Sequence, residues 1–135
     1  MTTELRYLLW TTLLTGCLWI PVVIGYVKSR GPLKPEDYVV APTSALLPWV
    51  NRANRAHINA IESLVPFAIV ILIAKSIGFS TPITVYAATT FFFARLAHAI
   101  VHITGSLGAV RGRTLLFTIG WAAFVAIAVE LLRGA

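Results

Sequence analysis

The chain has 135 residues, of which 58% are hydrophobic and 12% charged, and carries a net charge of +6. A soluble domain carries about a quarter charged residues, so the composition excludes an ordinary soluble globule, a disordered chain and a basic nucleic-acid binder. The length fits a single domain, residues 1–135, and the lone cysteine, Cys17, rules out an internal disulfide or a thiolate metal cluster.

Four membrane spans follow in chain order, so the predicted fold is an all-α membrane protein, a four-transmembrane-helix bundle. The first span, Tyr7–Val27, has no charge, contains Pro21, and is too long for the apolar core of a cleaved signal peptide. A long connection follows, Lys28–Arg55, broken by Pro32, Pro35, Pro42 and Pro48, with Tyr38 and Trp49 suited to the headgroup region. The second span, about Ala56–Ala74, is polar in its first part and purely apolar from Ser63 onward. A short loop, Lys75–Pro82, leads to the third span, Ile83–Ile103, apolar except for Arg95, His98 and His102. The loop Thr104–Gly112 carries Gly105, Gly108 and Arg111, and Arg113 opens the fourth span, Thr114–Leu132.

Lys28, Arg30, Lys34, Arg52 and Arg55 lie in the first loop region and Arg111 and Arg113 in the third, against Arg6, Lys75 and Arg133 on the other side. Positive-inside counting then puts loops one and three in the cytoplasm and both termini opposite.

The segment Asn51–Phe67, NRANRAHINAIESLVPF, sets arginines, a histidine, an asparagine and a glutamate at the mouth of the second span. Ionisable groups inside a membrane are expensive and mark functional sites by default. At roughly 100° per residue, Arg52, Arg55, Asn59 and Glu62 share a helix face that Pro66 continues, while His57 falls nearly opposite. Arg95, His98 and His102 form a second polar stripe on the third span. Glu62 and Arg95 are the natural pair between the stripes, either to lock two helices together or to serve chemistry. A metal site is disfavoured, because the nearest carboxylate is committed to Arg95 and no HExxH pattern occurs. No nucleophile elbow supports a serine hydrolase. The polar stripes therefore suggest a cationic pocket in which a small anionic cosubstrate meets a greasy one. If that cosubstrate is a thiol, nearby arginines favour its thiolate, the nucleophilic form.

At Arg52-x-x-Arg55-Ala56-His57-x-Asn59-x-x-Glu62, followed by Pro66-Phe67, the chain resembles the MAPEG family, the membrane-associated proteins of eicosanoid and glutathione metabolism. Arg95-Leu96-Ala97-His98 is a second match, and Arg113-Thr114-Leu115-Leu116-Phe117 with Gly120-Trp121 a third. The resemblance implies a homotrimer that binds glutathione, as cosubstrate, between neighbouring subunits near the cytoplasmic face. It implies that Arg52, Arg55, Asn59 and Glu62 hold the peptide with His57 nearby, that Arg95 pairs with Glu62, and that His98 and His102 add polar contacts. Arg113 of an adjacent subunit would stabilise the thiolate, with Thr114 as a hydroxyl partner and Arg111 as the competing candidate for that role.

Departures from the family pattern narrow the expectation. Asn51 stands where the motif often has Glu, and Ala60 where an Asp commonly follows the Asn. Ile58 replaces the extra Arg of the prostaglandin-synthase branch, and His102 and Phe117 stand where eicosanoid enzymes tend to have tyrosines. These point to a microsomal glutathione transferase type: conjugation of glutathione to hydrophobic electrophiles, with a glutathione-dependent peroxidase activity beside it, serving detoxification without a metal. The expected partners are other copies of the chain, glutathione, a lipophilic electrophile and membrane lipid. The alternative is a non-catalytic lipid-binding or scaffold member of the same fold. A small transporter has less support, because no broken-helix signature occurs.

Overall fold

A computed structural model of the chain describes all residues except 33, 39–45, 107–109 and 135. Pro42 and Gly108, which mark the first and third connections by sequence, lie outside the described residues, as does the side chain of Tyr38. The described residues form helices and no strand: α1 (Thr3–Cys17), α2 (Trp19–Arg30), a 3₁₀ turn (Pro35–Tyr38), α3 (Pro48–Ser76), α4 (Pro82–Thr104) and α5 (Val110–Gly134).

α1 and α2 together form the first span, Thr3–Arg30. The break at Leu18 lies just before Pro21, which has no N–H to offer the Cys17 carbonyl. α3, α4 and α5 are the other helices long and apolar enough to cross a membrane. Every span exceeds its sequence-based bounds. Terminal polar residues such as Glu4, Arg52 and Arg111 continue the helices rather than ending them, because helix ends at a membrane surface keep their charges in water or on partners.

Local chemistry sets the ends of α4. Thr81 and Thr84 form a reciprocal capping box ahead of Pro82, and Gly105 closes the helix in the left-handed region at φ 72°. The Arg52 Nε donates to the Ile103 carbonyl at 3.1 Å, satisfying one of the free acceptors at that end. Its guanidinium covers Gly105 so closely that a Cβ there would lie 3.3 Å from the Arg52 Cζ.

α4 is the centre of the bundle and packs on α1, α3 and α5. Its small residues Ala87 and Ala88 admit the larger Leu8, Ile71, Ile127 and Leu131 from neighbouring helices. Phe67 of α3 stacks on Phe91 of α4, with ring centroids 3.8 Å apart and planes within 7°. Gly25 lets α2 approach α3, since a Cβ there would collide with the side chains of Val50 and Trp49. The outer surface is covered by exposed Leu9, Trp10, Ile20, Val65, Ile69 and Leu72, as a lipid-facing surface requires.

One buried carboxylate was not foreseen. Glu4 is 4% exposed, and its Oε1 accepts from the Ser80 hydroxyl at 2.6 Å and the Thr84 hydroxyl at 2.8 Å. It thereby sits in the first turn of α1 and against the first turn of α4, where helix dipoles favour negative charge. Thr84 and Ile103 lie roughly 29 Å apart along α4 at the α-helical rise, close to the thickness of a hydrocarbon core. Glu4 and Arg52 therefore occupy opposite polar ends of the bundle.

Candidate functional site

The polar stripe of α3 opens onto a cavity of about 590 Å³ bounded by α3, α4 and α5. Arg55, Asn59 and Glu62 line it from α3, His98 and His102 from α4, and Arg113, Thr114 and Phe117 from α5. Helical spacing explains the α3 set, since these residues recur at three- and four-residue intervals on one face. Asn54 and Ile58 lie on the same wall. Asn54 had escaped sequence reading, although it sits one turn before Ile58 in the same stripe.

Arg52 and His57 line neither this cavity nor the apolar one beside it. Arg52 is committed to the end of α4. His57 is half-buried on another side of α3, as its angular position predicted. Arg111 is exposed and lines neither cavity, which leaves Arg113 as the arginine of this pair inside the polar cavity. The resemblance implied that Arg113 arrives from an adjacent subunit. Within one chain it already shares the cavity with Arg55, Asn59 and Glu62.

The expected Glu62–Arg95 pair is replaced by another arrangement. Arg95 is 4% exposed, and its Nη2 donates to both the Asn59 side-chain oxygen at 2.7 Å and the Asn59 carbonyl at 3.0 Å. Among the described residues no ion pair joins it to Glu62. One residue presenting two acceptors suits a planar guanidinium, and Asn59 stands one turn nearer the required height than Glu62 does. The Arg95 guanidinium also lies 5.8 Å from the Phe117 ring centroid, a cation–π contact. Gly120 leaves room for its stem, since a Cβ there would be 3.3 Å from the Arg95 Cδ. Glu62 is exposed and lines both cavities instead.

His98 and His102 stand one turn apart on α4 and meet edge to face, with centroids 5.3 Å apart and planes at 85°. They are 2% and 8% exposed. In each ring Nδ1 is buried without a hydrogen-bond partner, so Nε2 is the nitrogen left to face the cavity.

A second cavity of about 250 Å³ adjoins the first at Asn59, Glu62 and Phe117. Its remaining walls are Ser63, Pro66, Phe91, Arg95, Trp121 and Phe124. Pro66, which has no N–H, leaves the Glu62 carbonyl without its usual helical partner. Nothing in the spacing of Phe91, Trp121 and Phe124 separates a chamber wall from a lipid-facing surface. No group of three or more metal-ligating side chains occurs among the described residues.

The arrangement is thus a polar cavity with two uncommitted cations, Arg55 and Arg113, and one carboxylate, Glu62, joined to an apolar chamber. A search of curated proteins found no match. A sequence profile of the MAPEG family matches residues 7–133. With four apolar spans and that match over nearly the whole length, the chain is an integral multi-pass membrane protein and belongs to the MAPEG family.

Proposed function

We propose that the chain is a membrane glutathione transferase that joins the glutathione thiolate to hydrophobic electrophiles taken from the bilayer. The observation that carries this reading is the charge set of the larger cavity. Glutathione has two carboxylates, one ammonium and a thiol. Arg55 and Arg113 supply positive charge for anionic groups, Glu62 supplies a carboxylate for the ammonium, and Asn54 and Asn59 offer amides to the peptide. The volume of about 590 Å³ lies within the range of small-molecule sites.

In this reading Arg113 faces the thiol. Positive charge in a site of low dielectric stabilises the thiolate over the thiol, and the released proton leaves through the polar mouth to solvent. The sulfur then attacks an electrophilic carbon lodged in the apolar chamber between Phe91, Trp121 and Phe124. With an aryl halide, a carbon–sulfur bond forms, the carbon–halogen bond breaks, and halide departs with its electron pair. With a lipid hydroperoxide, the same thiolate attacks the peroxide oxygen. A sulfur–oxygen bond forms, the O–O bond breaks, and the alkoxide leaves and is protonated to the alcohol. The thiol of a second glutathione then attacks the resulting sulfenic acid, forming the disulfide and releasing water.

The homotrimer, the cytoplasmic side of this cavity and a role in detoxification belong to the same proposal and rest on the family. Purified protein is expected to conjugate a model aryl halide, and Arg113→Ala to lose that turnover while still binding detergent and folding. Normal turnover in Arg113→Ala would overturn the thiolate role. Saturable lipid binding without any conjugation by the wild type would favour a non-catalytic scaffold.

A further inference from the structure

The end of the bundle remote from the polar cavity holds a smaller cavity of about 60 Å³. Thr2 and Glu4 line it from α1 and its cap, Lys75 from the last turn of α3, and Gly78, Phe79 and Ser80 from the turn that follows. It is too small for a drug-sized ligand, which needs roughly 300–1,000 Å³, yet larger than a single water requires. One small group fits. The turn that walls it is pinned: the Gly78 N–H donates to the Lys75 carbonyl at 3.2 Å and the Phe79 N–H to the Ala74 carbonyl at 2.8 Å. Glu4 is the acidic wall. Its Oε1 is committed to the Ser80 and Thr84 hydroxyls, whereas its Oε2 is buried without any protein donor. A buried acceptor on a carboxylate is expensive to leave unmade. Among the described residues no ion pair joins Glu4 to Lys75. The C-terminal turn of α3 adds a second preference for positive charge here.

We propose that this cavity is a lipid headgroup site selective for phosphoethanolamine, with the primary ammonium on Glu4 Oε2 and the phosphate on Lys75. A primary ammonium carries both a positive charge and N–H donors, so it meets the charge and the missing donor together. A trimethylammonium headgroup offers no N–H and brings extra methyl groups into a small cavity. A bare metal cation would answer Glu4 but leave nothing for Lys75, which is exposed at the cavity wall and free to meet a lipid phosphate. The depth also fits a headgroup. α1 begins at Thr3, α3 ends at Ser76 and α4 begins at Pro82, so three span ends meet around the cavity. The site lies at the opposite end of α4 from the Arg52 contact and does not rest on the glutathione reading.

The test titrates full-length protein in detergent micelles with phosphatidylethanolamine and phosphatidylcholine of identical acyl chains, and native mass spectrometry reads the bound lipid. Phosphatidylethanolamine is expected to bind about tenfold tighter, as one charge-assisted hydrogen bond allows. Successive N-methylation of the same lipid should lower affinity stepwise, a result that needs no variant. Glu4→Gln keeps an acceptor for Ser80 and Thr84 but replaces Oε2 by an amide, and should shrink the preference to within about twofold. Lys75→Ala should weaken both lipids alike, by about threefold, because both carry the phosphate. Equal affinity for the two lipids in the wild type, or a preference undiminished in Glu4→Gln, would overturn the proposal. Thermal unfolding followed by helical circular dichroism separates the sources of positive charge. Phosphatidylethanolamine is expected to raise the wild-type midpoint, and sodium chloride or free ethanolamine to leave it unchanged. Equal stabilisation by either of these would assign the cavity to a free cation and overturn the lipid site.

Discussion

Asn59→Ala is the sharpest test of how the buried guanidinium is held. Arg95 is nearly inaccessible and depends on the Asn59 side-chain oxygen at 2.7 Å and the Asn59 carbonyl at 3.0 Å. Removing the side-chain acceptor leaves the carbonyl in place. A hydrogen bond to a charged group contributes about 1.5–3 kcal/mol, so the expected loss is at the lower end, about 2 kcal/mol. Arg95→Met removes the charge together with its demand for acceptors, and replacing buried ionic groups by apolar ones is often neutral or better. It is expected to cost less than about 1 kcal/mol. In the double variant the two effects should fail to add, with a coupling of about 1–2 kcal/mol. Glu62→Gln should change stability by less than about 0.5 kcal/mol, as for an exposed side chain without structural partners. Equilibrium unfolding in mixed micelles, followed by helical circular dichroism, reads all four. Additive single and double variants would refute the Asn59–Arg95 arrangement, and so would a Glu62→Gln loss as large as that of Asn59→Ala.

Other outcomes follow from the same geometry. Gly25→Ala is expected to destabilise the bundle by about 1–3 kcal/mol, because its Cβ meets Val50 and Trp49; the same unfolding assay checks it. Glu4→Ala strips the Ser80 and Thr84 hydroxyls of a shared acceptor and should cost about 2 kcal/mol. At the far end of α4, it should leave glutathione affinity, measured calorimetrically, unchanged. Trp121→Ala enlarges the apolar chamber, so KM for a lipophilic aryl halide should rise several-fold while glutathione affinity stays constant, as steady-state kinetics with each substrate varied in turn would show.

The sequence made the architecture readable because apolar runs of spanning length have few alternative fates. It also separated His57 from the Arg55–Asn59–Glu62 face, since angular position on a helix depends only on residue spacing. Pairing across helices was less accessible. Charge matching favours Glu62 for Arg95, but the height of each helix in the bundle decides which acceptor the guanidinium meets, and Asn59 supplies two. Glu4 carried no signal in the sequence; only the packing of α1 on α4 brings Ser80 and Thr84 to it. The apolar chamber was invisible too. Phe91, Trp121 and Phe124 are equally suited to lipid, and only the fold turns them toward Glu62 and Phe117.

The most direct measurement is a calorimetric titration of glutathione into the purified protein, repeated with Arg55→Ala, Glu62→Gln and Arg113→Ala. Saturable binding by the wild type is expected, weakened about tenfold or more by each variant, since each removes a charge-assisted contact. Thiolate absorbance of the complex should disappear only in Arg113→Ala. Absence of wild-type binding at millimolar glutathione, or binding indifferent to all three substitutions, would contradict the assignment of this cavity.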